Sequence, residues 1–518
     1  MTKIRCWSCA GLFCLAAIST ALAAADPACW VPARWDGGPL EVVRREADKA
    51  FMDARLREAS ARWYEPATLD LLEGTPLNCL LVTFSGGAGS TVERQQHQLV
   101  KEYAQRARKR GIAVLGIVYP GADPAEVAAA AEDARLAGLV LDGDFSAEYS
   151  SKLEAQLRAK SSETLIIPIA REAASVRTAK TPVIAVQGVQ PGARNLSDSG
   201  IRAGASAEPW IDSNIWLVRS FRLGRAWRPV WVNQQPPNAG SPRDYVRSVA
   251  DAAVTGGRWI VALDDDLRAR LFRKDSLGLA TWHSIAAYLK FAEDHAEWRS
   301  FVPYGNLGVV LDTAGGSPDL SNEYLNLVTR RHVPYRILPR GELTSSSLVS
   351  LQAVLALDLA PAAAAERKIL GEFAERGGLV VTGPSWGGAP IDEPYAEIPR
   401  GKGRVAVYKD DPPDPESVAK DLADLMDPEV MGFSVFNVPS AITDVSTSAS
   451  GRRVLVQILN YADYPGSLVT MRVNGSFKSV RLYTPENAPA ELAAEPAANN
   501  RTEVLIAKPA RWAAVLLE

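Results

Sequence analysis

Leu77-Asn78-Cys79-Leu80-Leu81-Val82-Thr83-Phe84, then a polar-apolar stretch over residues 92–110, then Ile112-Ala113-Val114-Leu115-Gly116-Ile117-Val118-Tyr119 make one strand, helix, strand unit. Both apolar runs are short and continuous, which is the pattern of parallel strands buried on two faces rather than of a half-exposed element. The same unit recurs on either side. Apolar runs at 28–31, 138–141, 164–170, 182–187, 229–232 and 259–263 bring the count to eight, with helical stretches at 125–136, 147–161 and 243–255 among the connections. A right-handed series of this length closes into a (β/α)8 TIM barrel, and any active site then lies at the C-terminal ends of the strands.

The rest of the 518-residue chain exceeds what one core can hold. At the N-terminus Lys3 and Arg5 precede an apolar stretch at 10–22 and small residues at 21–25. This reads as a signal peptide (1–25), so export to a periplasm or the outside is expected. The barrel is assigned to 26–300. From 307 a shorter α/β series follows, with apolar runs at 307–311, 333–338, 351–357 and 378–382 and helices at 322–331 and 362–376. A flavodoxin-like α/β domain is expected at 301–400, as a scaffold or subunit contact in a homo-oligomer. Beyond 401 the runs at 454–460, 468–473, 479–483, 503–506 and 512–517 alternate with Gly, Pro and Asn turns, which predicts a C-terminal all-β, sandwich-like domain (401–518).

A net charge of -3 with dispersed Lys and Arg argues against a nucleic-acid partner. After the signal peptide no stretch is long enough to span a membrane. Four histidines, at 97, 283, 295 and 332, end no barrel strand, so no histidine-held metal and no cofactor is expected. Cys29 and Cys79, on the first two predicted strands, fit either a disulfide or two buried thiols. The loop Ser85-Gly86-Gly87-Ala88-Gly89 reads as a tight turn or as an anion cradle lacking a phosphate-loop lysine. Gly383-Pro384-Ser385-Trp386-Gly387 matches a nucleophile pattern, but neither the following helix nor a downstream histidine is present.

The strand ends carry the candidate chemistry. Strand four runs into Leu141-Asp142-Gly143-Asp144-Phe145, strand seven into Asn233-Gln234-Gln235, and strand eight into Asp264-Asp265-Asp266. Strand one leads to Arg34-Trp35-Asp36, offering a cation and a ring for sugar stacking, with Arg34 alternatively a buried partner of Asp142 or Asp144. After strand six comes Glu208-Pro209-Trp210-Ile211-Asp212-Ser213-Asn214, where Asp212 or Ser213 is also placed to cap a helix. Cleaving a glycosidic bond needs two carboxyl groups, one protonated and one ionised, beside an aromatic surface. Glu208, Asp212, Asp144 and Asp264 are the expected catalytic acids. Trp35, Trp210, Arg34, Asp142, Asn214 and Asn233 are the expected carbohydrate contacts. At strand eight, Asp265 or Asp266 is the expected helix cap.

With these strand ends in place, the order of signal peptide, barrel, α/β domain and β domain resembles family 42 β-galactosidases and related barrel glycosidases. The resemblance implies a carbohydrate substrate and glycosidic hydrolysis. In those families the acid follows an Asn at the end of strand four and a Glu nucleophile ends strand seven. Asp142-Gly143-Asp144 and Asn233-Gln234-Gln235 depart from both, so the family's catalytic pair is not carried onto this chain. A barrel that binds carbohydrate, or serves in assembly, without cleaving is the competing expectation.

Overall fold

The computed structural model describes residues 26–518 apart from 48–52, 161–162, 172–180, 195–209, 224–227, 237–239, 313–317, 358–361, 427, 439 and 463–467. The barrel strands are β1 (Pro32–Arg34), β2 (Cys79–Ser85), β3 (Ala113–Val118), β4 (Gly138–Leu141), β5 (Leu165–Ala170), β6 (Ile184–Gln187), β7 (Val230–Asn233) and β8, which is split into Arg258–Trp259 and Val261–Ala262. Neighbouring strands pair in parallel throughout. The two halves of β8 close the ring: Arg258 and Trp259 pair with Trp231 and Val232 of β7, and Val261 and Ala262 with Ala33 and Arg34 of β1. Ile260, between the halves, points into the barrel, where it joins Leu81, Leu115, Ile117, Val140, Ile167 and Trp231.

Alternation along each strand sets which residues reach the mouth. On β1, Ala33 and Trp35 belong to the core between strands and helices, so Arg34 between them faces the barrel axis. This strand lies further along than the expected 28–31. Pro27–Cys29 is instead a 3-10 turn capped by the Asp26 side chain. A continuous apolar run has no period that would fix its register, and the displacement is what brings Arg34 to the strand's end. Cys29 is exposed on that turn and Cys79 is buried inside the barrel; both are free thiols, and burial pushes the Cys79 thiol well up. The disulfide alternative is thereby corrected.

The helices follow the expected alternation. Among them are α1 (Gly38–Ala47), α2 (Ser90–Lys109), α3 (Pro124–Ala134), α4 (Ala147–Ala159), α5 (Ile215–Phe221), α6 (Pro242–Val254), α7 (Asp265–Phe272) and α8 (Ser276–Asp294). α6 begins with Pro242 behind a capping box in which Ser241 and Asp244 satisfy each other's backbone amides. Between β6 and α5 a small antiparallel hairpin pairs Gly192–Arg194 with Trp210–Asp212.

After the barrel, β9 (Leu307–Leu311), β10 (Tyr335–Pro339), β11 (Ala353–Leu355), β12 (Leu379–Thr382), β13 (Tyr395–Arg400) and β14 (Gly403–Tyr408) form one sheet in the order β10-β9-β11-β12-β14-β13. All its pairings are parallel except that of β13 with β14. The helix Pro415–Leu425 packs Val418, Ala419 and Leu422 onto this sheet's core. Two antiparallel sheets complete the fold. One contains β16 (Ala441–Thr447), β17 (Val454–Asn460), β19 (Val480–Tyr483) and β21 (Trp512–Leu517); the other contains β15 (Phe433–Phe436), β18 (Leu468–Asn474) and β20 (Arg501–Ala507). Val456 and Val515 of the first share an apolar core with Val469, Val504 and Ile506 of the second. The back of the first sheet presents Leu455, Leu459, Trp512 and Leu516 to the barrel's outer core. Among the described residues no helix is long and apolar enough to cross a membrane.

Candidate functional site

At the mouth, the residues following β1 bring four ionisable side chains together. The chain leaves Arg34, passes Trp35 and Asp36, and turns through Gly37 and Gly38 into α1. Gly38 has φ +84, and a Cβ there would lie 2.4 Å from Gln96 Oε1, so this tight return requires glycine. It carries Glu41, in the first turn of α1, back toward Asp36. Arg34 then occupies the centre: Nε donates to Asp36 Oδ2 at 2.8 Å, Nη1 to Asp142 Oδ2 at 2.7 Å, and Nη2 to the Tyr119 hydroxyl at 2.8 Å. The Gln235 carboxamide, with its oxygen turned inward, accepts from Arg34 Nε at 3.0 Å. Five strand ends therefore meet on one guanidinium or one shell from it: β1, β2 through Thr83, β3, β4 and β7.

Thr83 sits between the two innermost carboxyls, with its Oγ1 3.3 Å from Asp36 Oδ1 and 3.1 Å from Glu41 Oε2. A single hydroxyl proton serves only one of them at a time. Arg44 donates to Glu41 Oε2 at 3.0 Å and lies over the Tyr119 ring, 3.3 Å from its centroid. Burial, reinforced by the neighbouring Asp36 charge, raises the Glu41 carboxyl above the ordinary range, against the pull of Arg44, Arg268 and Arg34. Burial also opposes the Arg34 charge, but Asp36, Tyr119 and Asp142 more than reverse it, and its pKa is raised. Asp142 is the open member of the cluster: its side chain is 22% exposed against 5% for both Asp36 and Glu41. Its hydrogen bond to Arg34 uses only Oδ2. The arrangement gathers one buried carboxyl with a raised pKa, held by Arg44, and one more exposed carboxyl, held by Arg34.

The remaining mouth residues are held by amides and caps. Asn233 Nδ2 donates to Gln187 Oε1 at 3.0 Å, and Gln187 Nε2 donates to Gln234 Oε1 at 2.6 Å, which joins the ends of β6 and β7. At strand eight the helix cap is Asp264, one residue before the expected pair. Its Oδ1 accepts from the Leu267 amide at 2.9 Å and its Oδ2 from the Tyr245 hydroxyl at 2.7 Å. Asp265 is bound by Arg45 and Arg268, and Asp266 by Arg270. Asp144 projects outward, its side chain 85% exposed beside Arg171. Glu208 lies outside the described residues, as does the side chain of Trp210.

Two expected contacts take other positions. Trp35 is fully buried in the helix layer, its ring 4.9 Å from that of Trp63 and 5.9 Å from that of Trp282. Alternation from the inward Arg34 sends it away from the mouth, which corrects its reading as a sugar platform. Asn214 is a buried clasp rather than a mouth contact. Its Oδ1 accepts from the Val189 amide at 2.8 Å, and both its backbone N and its Nδ2 donate to Asp251 Oδ2, at 2.8 and 2.9 Å. Ser213 donates to Asp251 Oδ1 at 2.7 Å, and the Tyr461 hydroxyl, from the end of β17, donates to the same oxygen. Asp212 lies on the hairpin strand beside this clasp, and the Ile211 carbonyl accepts from Asn326 of the α/β unit at 3.3 Å. Asp212 is thus carried on the strand that meets the α/β unit.

The glycine loop after β2 does cradle an anion, but one supplied by the chain. Glu93 Oε1 accepts from the Gly86 and Ala88 amides at 2.9 and 3.2 Å. His97 Nε2 lies 2.7 Å from Ser85 Oγ and 3.5 Å from Glu93 Oε2, and burial lowers its pKa. Sequence reading missed Asp36 and Glu41, because an acid before a Gly-Gly turn and another in a first helical turn are ordinary local signals. The clue available was their spacing from Arg34, on a connection of only three residues between strand and helix.

Neither a protein-family model nor a curated protein matches the sequence. Solved structures do match in fold. A catalytic mutant of the family 42 β-galactosidase Gan42B from G. stearothermophilus aligns with a TM-score of 0.58 at 10% identity, covering 95% of this chain and 99% of that one. The α-L-fucosidase isoenzyme 2 from Paenibacillus thiaminolyticus aligns at 0.57 and 10% identity, covering 88% and 96%. A cold-adapted β-galactosidase from Rahnella sp. R3 aligns at 0.51 and 9%, covering 93% and 98%. The chain shares the barrel and additional domains of these glycosidases across nearly its whole length.

Proposed function

We propose that this protein is an exported glycoside hydrolase that takes a carbohydrate at the barrel mouth and cleaves it with carboxyls gathered around Arg34. The observation that carries the reading is the pairing of unlike acids in one cluster. Glu41 keeps its proton above the usual carboxyl range, and Asp142 presents a partly exposed carboxylate beside Arg34. Glycosidic cleavage requires one protonated and one ionised carboxyl, and this unlike pair is assigned to those roles in the proposal. The likeness in fold to a β-galactosidase and a fucosidase supports a sugar as the substrate class. Glu208, on the connection after β6, is a further acid in the proposal.

The finer architecture belongs to the same reading: a barrel over 26–300, a flavodoxin-like unit from 301, and a sandwich-like β domain at the C-terminus. The order of the parallel strands in the second sheet supports the flavodoxin likeness, and that unit's continuation through the helix Pro415–Leu425 moves its end beyond residue 400. Self-association through this unit and removal of residues 1–25 on export are proposed with it.

Hydrolysis of a panel of aryl glycosides and oligosaccharides by the chain from residue 26 tests the reading, beside Asp142→Asn, Glu41→Gln and Glu208→Gln. Loss of turnover by about 100-fold or more in Asp142→Asn and Glu41→Gln is expected, as for removal of an acid-base group. A proton donated by Glu41 also sets an alkaline limb in kcat/KM above the ordinary Glu range. A second reading, binding without cleavage, is favoured by one observation: β7 ends in amides, while Asp142 and Asp144 both lie on arginines. Saccharide binding with no turnover on any substrate would select it.

A further inference from the structure

A second cavity, of about 790 Å³, lies at the opposite end of the barrel from Arg34. Its walls come from the chain before β1 (Ala28, Cys29), the end of α5 (Arg219, Arg222), the start of β8 (Arg258), the tail of α8 (Glu293 to Phe301), and β16, β17 and β21 of the C-terminal sheet. The volume falls in the range of small-molecule sites, and a seam between structural units is where such sites concentrate.

Its charges do not cancel. Arg219 is bound to Asp444, and Arg258 and Arg299 share the single carboxylate of Glu293. Among the described residues Arg222 has no carboxylate partner; its guanidinium is held by the carbonyls of Thr255 and Arg299. Among the described lining residues four guanidinium groups thus face two carboxylates. Burial is the largest cause lowering the Arg222 pKa; Asp444 opposes it, and Arg299 and Arg219 add to it. Buried charge of one sign is costly unless an opposite charge accompanies it. Beside these charges the lining includes aliphatic residues and a group of aromatic rings. Trp298 stacks on His295 with ring centroids 4.1 Å apart, and Phe301 and Trp512 also contribute.

We propose that this cavity binds a small organic anion. Its carboxylate, sulfate or phosphate group sits on Arg222 and the adjacent arginines, and its ring lies against Trp298, Phe301 and Trp512. The site is separate from the mouth, and the proposal stands whether or not the mouth hydrolyses sugars. Because the ligand touches both the barrel and the C-terminal sheet, its binding stabilises their seam and raises Tm by mass action.

The test uses the chain from residue 26 with glucuronate, benzoate, inorganic sulfate and neutral glucose, read by tryptophan fluorescence and by Tm. Asp444 and Ser446 are two apart on β16 and face the same side, so Ser446→Glu delivers a carboxylate into the cavity. Arg222→Gln removes the uncompensated cation and serves as the second variant if the first does not fold. Expected are a Kd below about 1 mM for glucuronate or benzoate, at least tenfold weaker binding in either variant, and no response to glucose. A preference for glucuronate identifies a sugar acid, and one for benzoate an aromatic acid. Failure of every anion to bind the wild-type chain, or binding unchanged in both variants, overturns the proposal. Sulfate binding as tightly as the organic anions overturns the role of the aromatic wall.

Discussion

Arg34 engages two carboxylates and a phenol with three different nitrogens, so its removal leaves Asp36 and Asp142 without their common cation. Arg34→Met is expected to cost about 3–5 kcal/mol, the range for breaking a buried ion pair from one side, measured by urea denaturation. Arg34→Lys recovers only part of this, because a point charge cannot span three acceptors. His332 gives a pH-dependent case. Burial lowers its pKa to about 4, below the unfolded value. Between these values the unfolded chain binds a proton that the folded chain does not. Stability is therefore lost as pH falls from about 6.5 toward 4, by at most about 3 kcal/mol. At φ 57 asparagine is tolerated, and His332→Asn is expected to flatten this part of a Tm against pH curve. The sequence offered an ion pair of Arg34 with Asp142 or Asp144 as one alternative, since strands one and four both end at the mouth, and the fold selects Asp142. Glu41 was not legible in the sequence, because its raised pKa comes from burial that only the folded connection creates.

Helix α7 shows how one strand-end acid can serve architecture instead of chemistry. Both Asp264 oxygens are engaged, one by the Leu267 amide and one by Tyr245. Asp264→Ala is expected to cost about 2 kcal/mol from the lost cap and the stranded hydroxyl. Asp264→Asn keeps the capping oxygen and most of the stability, as thermal melts of the pair would register. A fall in turnover with Asp264→Asn and unchanged Tm would instead return this residue to the catalytic set. At this scale the sequence was most readable where burial is two-sided. Seven barrel strands appear as continuous apolar runs because both faces are covered. β13 to β16 were missed: the Pro and charged residues of β13 sit on an exposed edge beside β14, and the β15 and β16 segments lie among turn-forming residues.

Across the whole molecule, polar clasps tie the barrel to the C-terminal sheet. Arg219 meets Asp444, with both side chains at most 6% exposed, and Asp251 gathers Ser213, Asn214 and Tyr461. Asp444→Ala strands Arg219 and is expected to cost about 3–5 kcal/mol. Scanning calorimetry of this variant should split one cooperative transition into two, with the C-terminal sheet melting first. No periodicity could have forecast these contacts, since their partners lie more than 200 residues apart. Cys29 has a practical consequence. Among the described residues it is the exposed thiol, Cys79 being sealed within the barrel, and it lies on the rim of the arginine-lined cavity. On the chain from residue 26, a maleimide dye would therefore attach at a single address, turning the seam between barrel and sheet into an optical gauge of its own opening.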